Sequence, residues 1–168
     1  MLRDTLRDAQ QNRAYDWERM YIAKHDVQKV PFNQIKFVVD YMWKGEGLEH
    51  PPIVSPLPKP YGNVEADSTR LELRFKPFTN TWVIIHELAH SMTSMATGLS
   101  NYHGELWLGR YMQLLHKYLK IPMDYLQSTA LQSGLRFDCN PPKAVWLSLE
   151  STVVMAVNDA ILSTVSPE

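Results

Sequence analysis

His86, Glu87 and His90 are the residues in this sequence whose types and spacing best suit chemistry. On a helix, positions i and i+4 share a face, so His86 and His90 can hold one metal ion between them. Glu87, next to the first imidazole, puts a carboxylate where it can take a proton from water on that metal. Imidazole ligands select zinc over magnesium or calcium, which favour oxygen; ligand type leaves Fe(II) and Mn(II) open. Three fixed letters are a weak signal alone, so the flanking sequence has to supply the rest.

A hydrolytic zinc site needs three protein ligands and one open position. His103 is the expected third ligand: twelve residues separate it from His90, enough for the chain to turn back. Gly104 beside it lets the backbone bend tightly or approach a metal closely. Glu105 is the rival third ligand, its other reading being a charge at a helix N-terminus. Asp124 and Glu150 are more remote options. His25, His50 and His116 have no partner at ligand spacing and read as structural or surface residues. Tyr102, Arg110 and Tyr111 carry donors able to face a developing oxyanion, although packing or solvated charge is the commoner role of such side chains. With zinc on His86, His90 and His103, the expected reaction is hydrolysis of an amide, a peptide bond being the expected substrate. Zinc lowers the pKa of water to about 7, Glu87 takes the proton, and the same carboxyl returns it to the leaving amine.

The elements around these residues follow from periodicity. The run 82–97 contains no Pro or Gly. It reads as the histidine-bearing helix, with Thr79, Asn80 or Thr81 as cap, Gly98 as stop, and Val83, Leu88, Met92, Met95 and Leu99 as apolar contacts. Before it, residues 71–75 alternate like a half-buried strand that Pro77 breaks. Residues 2–24 read as a helix with Leu2, Leu6, Ala9, Arg13, Trp17 and Met20 on one stripe, packed on the domain. A second helix is predicted over 32–44, with Ile35, Val38, Val39 and Met42 inward and Gly45 and Gly47 ending it. Pro51, Pro52, Pro56, Pro58 and Pro60 exclude helix from the next stretch. Ile53-Val54 and Val64-Glu65-Ala66 read there as short edge strands, with turns near 61–63 and 66–68. After His103, Leu106, Trp107, Tyr111, Leu114, Leu115 and Tyr118 mark a helix ending near Lys120. Pro122 opens another over 123–132 that stops at Gly134. Trp146, Leu149, Val153, Val157, Ala160 and Ile161 suggest a last helix, with a strand as the alternative.

The expected fold class is therefore α+β and zincin-like: a small, mostly antiparallel sheet packed against the His86–His90 helix and several further helices. A single domain over 1–168 is expected, with N-terminal helices to 47, the sheet at 48–76, the metal-site helices at 79–120 and a C-terminal helical region beyond. A length of 168 residues with five Trp and eight Tyr is enough for a real core and argues against disorder. A net charge of −1 indicates no global pull towards nucleic acid or anionic lipid. The single cysteine, Cys139, rules out an internal disulfide and a Cys-rich zinc ribbon. The polar N-terminus lacks the apolar stretch of a signal peptide, and no run approaches a membrane span, so a cytoplasmic protein without membrane partners is expected.

His86 to His90, followed by His103-Gly104 with Trp107 three residues on, resembles the SprT-like (Spartan-like) metallopeptidases. That resemblance covers about residues 81–118 and implies His103 as third ligand. The usual Pro after His-Gly is Glu105 here, and a C-terminal Cys-rich zinc module is lacking. Arg7-Asp8-Ala9-Gln10 with Tyr15 and Glu18 is similar to a family of uncharacterised metallohydrolases from actinobacteria and their phages, a likeness that runs to about residue 120 but implies no substrate. What carries over is the ligands and the base, not DNA-linked protein repair. Two rival readings remain at this point: a non-catalytic, zinc-stabilised structural or binding module such as a phage component, and a hydrolase of non-peptide amides.

Overall fold

The computed structural model describes residues 10–69, 71–94 and 102–141, and they form an α+β arrangement. Helix α1 (Gln11–Trp17) passes into a π-helical turn (Glu18–Ile22) and a 3₁₀ turn (Ala23–His25). Then come β1 (Lys29–Pro31), α2 (Phe32–Gly45), β2 (Ile53–Pro56), β3 (Ala66–Ser68), β4 (Glu72–Phe75) and β5 (Phe78–Asn80). The histidine-bearing helix α3 (Thr81–Thr93), α4 (Glu105–Leu119) and α5 (Met123–Gln132) follow.

Of the described residues in the stripe predicted for the first helix, only Trp17 is buried; Arg13 is exposed and Met20 is 64% exposed. The buried face runs instead through Ala14, Trp17, Glu18 and Ile22, and the wide π turn, with more than 3.6 residues, leaves Met20 outside it. Leu2, Leu6 and Ala9 lie outside the described residues, as do Met95, Gly98, Leu99, Glu150 and the last predicted helix. In α2, Ile35, Val39 and Met42 are buried as expected, Trp43 joins them, and Val38 is half-buried. Gly47 closes this segment in the left-handed region (φ 69°).

The three-stranded sheet runs β2-β4-β3, so β2, which contains the predicted Ile53-Val54, is an edge as expected. Three expectations fail. The strand predicted at Val64-Glu65-Ala66 shares only Ala66 with the other edge, β3. The stretch 66–68, read as a turn, is itself strand β3, and Asp67 opposite Arg74 holds it there through a two-pronged ion pair of 2.6 and 2.7 Å. Strand β2 pairs parallel with β4, not antiparallel, because β4 inserts between β2 and β3 while β3 and β4 form the antiparallel pair. A second, unpredicted pairing joins β1 to β5 antiparallel. It is only three residues a side and carries no alternating apolar pattern to read.

Helix α3 is buried at every position from Val83 to Met92, the polar His86, Glu87, His90 and Ser91 included, and forms the centre of the described structure. Its cap is not local. Asn80 makes no side-chain cap, and the Trp82 N–H instead donates to Asp26 Oδ2 at 2.9 Å. The helix stops at Thr93, short of the predicted Thr97: Ser94 is extended, and the Thr93 and Ser94 hydroxyls donate to the carbonyls of Ala89 and His90. Helix α4 packs along α3. Gly109 lets α4 approach the 138 segment, since a Cβ there would meet the Asp138 carbonyl oxygen at 2.1 Å. Helix α5 spans the residues predicted, with Gly134 (φ 68°) after it. Among the described residues, no helix is long and apolar enough to cross a membrane.

Candidate metal centre

Helix α3 carries His86 and His90 on one face, and the turn into α4 brings His103 back over them. The three Nε2 atoms converge: 3.1 Å between His86 and His90, 3.2 Å between His86 and His103, and 3.3 Å between His90 and His103. Nitrogens about 2.0–2.1 Å from a tetrahedral zinc lie roughly 3.3–3.4 Å apart, so the spacing fits a single ion. All three imidazoles are buried, and they form the metal-capable group among the described residues. Burial, then the neighbouring His86 and His103, hold the His90 pKa well below the ordinary histidine value. The neutral ring that results is the form a metal binds.

Aromatic packing fixes the rings. The Trp107 indole stacks on His90 (5.1 Å, 23°), meets His86 and His103 at 4.8 and 4.5 Å, and donates its N–H to the His86 carbonyl at 3.3 Å. Tyr15 lies 6.0 Å from His86 and 5.0 Å from His103. Backbone contacts fix His103. Gln10 Nε2 donates to the His103 carbonyl at 2.9 Å, and Tyr102 just before it takes the left-handed backbone (φ 44°), a conformation non-glycine residues adopt at some cost.

Glu87 is buried beside this group and accepts a hydrogen bond from Ser68 Oγ at 2.5 Å through Oε2. Burial pushes its carboxyl above the usual range, against the opposing pull of His86 and Ser68. Glu18 is also buried, and its Oε1 lies 2.6 Å from His86 Nδ1.

Of the remaining candidates, Tyr111 packs beside the cluster, its ring 5.6 Å from that of His86, and none of the others joins the metal-capable group. Glu105 is the first residue of α4, with its side chain 54% exposed and 3.5 Å from Arg136, which suits the helix-terminus reading. Asp124 sits in the first turn of α5. His116 Nδ1 bonds to the Ile121 carbonyl, His25 packs on Tyr125, and His50 is exposed. The Arg110 guanidinium is engaged by Gln113 and the Pro141 carbonyl. Tyr102 is half-exposed, whereas Tyr111 is buried. Burial first, then the nearby Glu18 and a hydrogen bond to it, hold the Tyr111 hydroxyl well above its ordinary pKa.

Residue reasoning missed Ser68, which came from a stretch read as a turn. It also gave no role to Gln10, Tyr15 or Glu18, which entered only through a resemblance. For Glu18 a signal exists: it continues the spacing of Ala14, Trp17 and Ile22, so a carboxylate falls on a buried face, where it needs a partner. The geometry defines a class on its own terms, a buried three-histidine group able to hold one metal ion beside a buried carboxylate. No protein-family model matches the chain, and no curated protein or solved structure matches it.

Proposed function

We propose that the chain is a zinc-dependent metallohydrolase of zincin type that cleaves peptide bonds, with His86, His90 and His103 as ligands and Glu87 as the base. The observation that carries this reading is the tetrahedral spacing of the three Nε2 atoms beside a buried carboxylate. Zinc, when bound, supplies Lewis-acid polarisation of a carbonyl and lowers the pKa of water to about 7. The residues do the rest. Ser68 holds one oxygen of Glu87, so the carboxylate keeps a set direction while it accepts a proton from water and delivers it to the leaving amine. Strand β3, which carries Ser68, is the edge of its sheet and lies against α3. An extended peptide pairing along that edge would be held beside the ligands. The free, exposed Cys139 suits a reducing compartment such as the cytosol.

The test is Glu87→Gln, which keeps the side-chain shape and an acceptor for Ser68. Cleavage of peptide and small-amide libraries is measured together with zinc content and thermal melting. The expected result is a loss of peptide turnover of roughly 10²–10⁴-fold with zinc and fold retained. A wild-type protein that binds zinc yet cleaves neither library, and is indistinguishable from Glu87→Gln, would make the group a structural zinc site. Cleavage of small amides alone would move the substrate class.

A further inference from the structure

We infer that Glu18 is a positioning residue of the metal centre, holding His86 in the tautomer whose Nε2 lone pair points at the ion. The inference rests on the zinc reading above. A neutral imidazole carries one N–H and one lone pair, and an ionised carboxylate can only accept. Glu18 Oε1 lies 2.6 Å from His86 Nδ1, so the proton belongs on Nδ1. Nε2, left as the acceptor, is the atom that lies 3.1 and 3.2 Å from the other two histidine nitrogens. Carboxylates that hold a ligand histidine in this way also raise its basicity towards the metal.

The chain goes to some length to put Glu18 there. It comes from 68 residues upstream of His86 and is almost fully buried. Glu18 lies one α turn on from the buried Ala14, and the π-helical turn that begins at Glu18 keeps Ile22 inward while Met20 turns out to solvent. Such turns are an unfavourable geometry that recurs at functional sites. The Tyr111 hydroxyl, which donates to the Trp82 carbonyl at 3.4 Å, lies near enough to the same carboxylate for Glu18 to help raise its pKa. A buried carboxylate left without a partner would be costly, and here the partner, His86, belongs to the site. The N-terminal helix is thus part of the metal centre, not a cover packed over it.

The experiment uses the full chain, as wild type, Glu18→Gln and Glu18→Ala. Zinc affinity is measured by competition with a chromophoric chelator, and the histidine tautomers are read by long-range proton–nitrogen NMR of nitrogen-15-labelled protein. In the wild type, His86 is expected as the Nδ1–H tautomer with a strongly downfield Nδ1 proton. In Glu18→Gln that proton moves upfield or the tautomers mix, and zinc binds about 10–100-fold more weakly. Glu18→Ala loses at least as much affinity if it folds, and Glu18→Gln, which preserves volume, decides the matter if it does not. A role confined to stability would lower melting temperature while leaving the tautomer and the zinc affinity alone, and that outcome overturns the inference, as does a wild-type His86 protonated on Nε2. Zinc bound stoichiometrically by wild type and equally by Glu18→Gln sinks this inference and spares the functional reading, whereas a wild type that takes up no zinc sinks both.

Discussion

Replacing Gln10 by alanine should loosen the third ligand without touching it. Gln10 is buried, and its amide ties two distant backbone segments together. Nε2 donates to the carbonyls of His103 (2.9 Å) and Arg136 (3.2 Å), and Oε1 accepts from the Arg136 N–H (2.7 Å). Without it, the His103 carbonyl and the carbonyl and N–H of Arg136 each lose a partner. The buried His103 carbonyl left unsatisfied costs about 1–3 kcal/mol, and the two part-buried Arg136 bonds add about 1 kcal/mol, so the loss is roughly 2–4 kcal/mol. At this chain length each kcal/mol moves the melting temperature by about 2–4 °C, giving a fall of roughly 4–16 °C in a chelator. Zinc separates fold from ligand. At a free concentration of 100 times Kd it adds about 2.7 kcal/mol to the wild type. Each tenfold loss of affinity in the variant withdraws about 1.4 kcal/mol of that. Calorimetric melts of both proteins, in chelator and at one fixed free zinc concentration, should therefore show a wider gap with zinc than without. An equal gap in both conditions would mean that Gln10 holds the fold but not His103, and an unchanged melting temperature would refute the hydrogen-bond reasoning altogether.

Three further outcomes are expected. Gly109→Ala should lower the urea midpoint: helix propensity favours alanine by about 1 kcal/mol, but the new Cβ would lie 2.1 Å from the Asp138 backbone oxygen, and overpacking of that kind costs about 1–3 kcal/mol. A raised midpoint would show that the 138 segment yields freely. Asp26→Ala, which removes the acceptor for the Trp82 N–H at the start of α3, should cost about 1 kcal/mol in the same assay, and Asp26→Asn, which keeps an acceptor, should cost less. Stability should also decline in alkali. Burial and nearby carboxylates hold the Tyr111 and Tyr118 hydroxyls above the ordinary tyrosine range. A raised folded pKa gives stability that is complete below the unfolded value of about 10 and is lost as pH rises above it. Tyr118→Phe should flatten that alkaline slope in urea titrations between pH 9 and 11, and an identical slope would rule Tyr118 out as its source.

Much of the site was legible because its signals are local. The four-residue spacing of His86 and His90 lies within one helix, and the twelve residues between His90 and His103 leave room for the chain to turn back. Helices α2, α4 and α5 were legible for a similar reason, since their apolar faces repeat along the chain and their ends carry Gly47, Lys120 and Gly134 in left-handed backbone. The sheet was less so. Strands of three or four residues hold too few alternations to set a register, and the parallel run of β2 depends on a crossover that no neighbouring residue encodes.

What the sequence by itself determined is the pairing of His86 with His90 on one helix face, the carboxylate of Glu87 beside them and the α+β class, because each rests on residue types at short spacing. Tertiary structure alone decided that His103 and not Glu105 joins the pair, that Ser68 from an edge strand holds Glu87, that Asp26 caps α3, and that Glu18 lies against His86. Those pairings span 13 to 68 residues. Long-range partners are chosen by which faces the packed core brings together: α-helical spacing from Ala14 puts Glu18 on a buried face, but only the packed core sets it against His86.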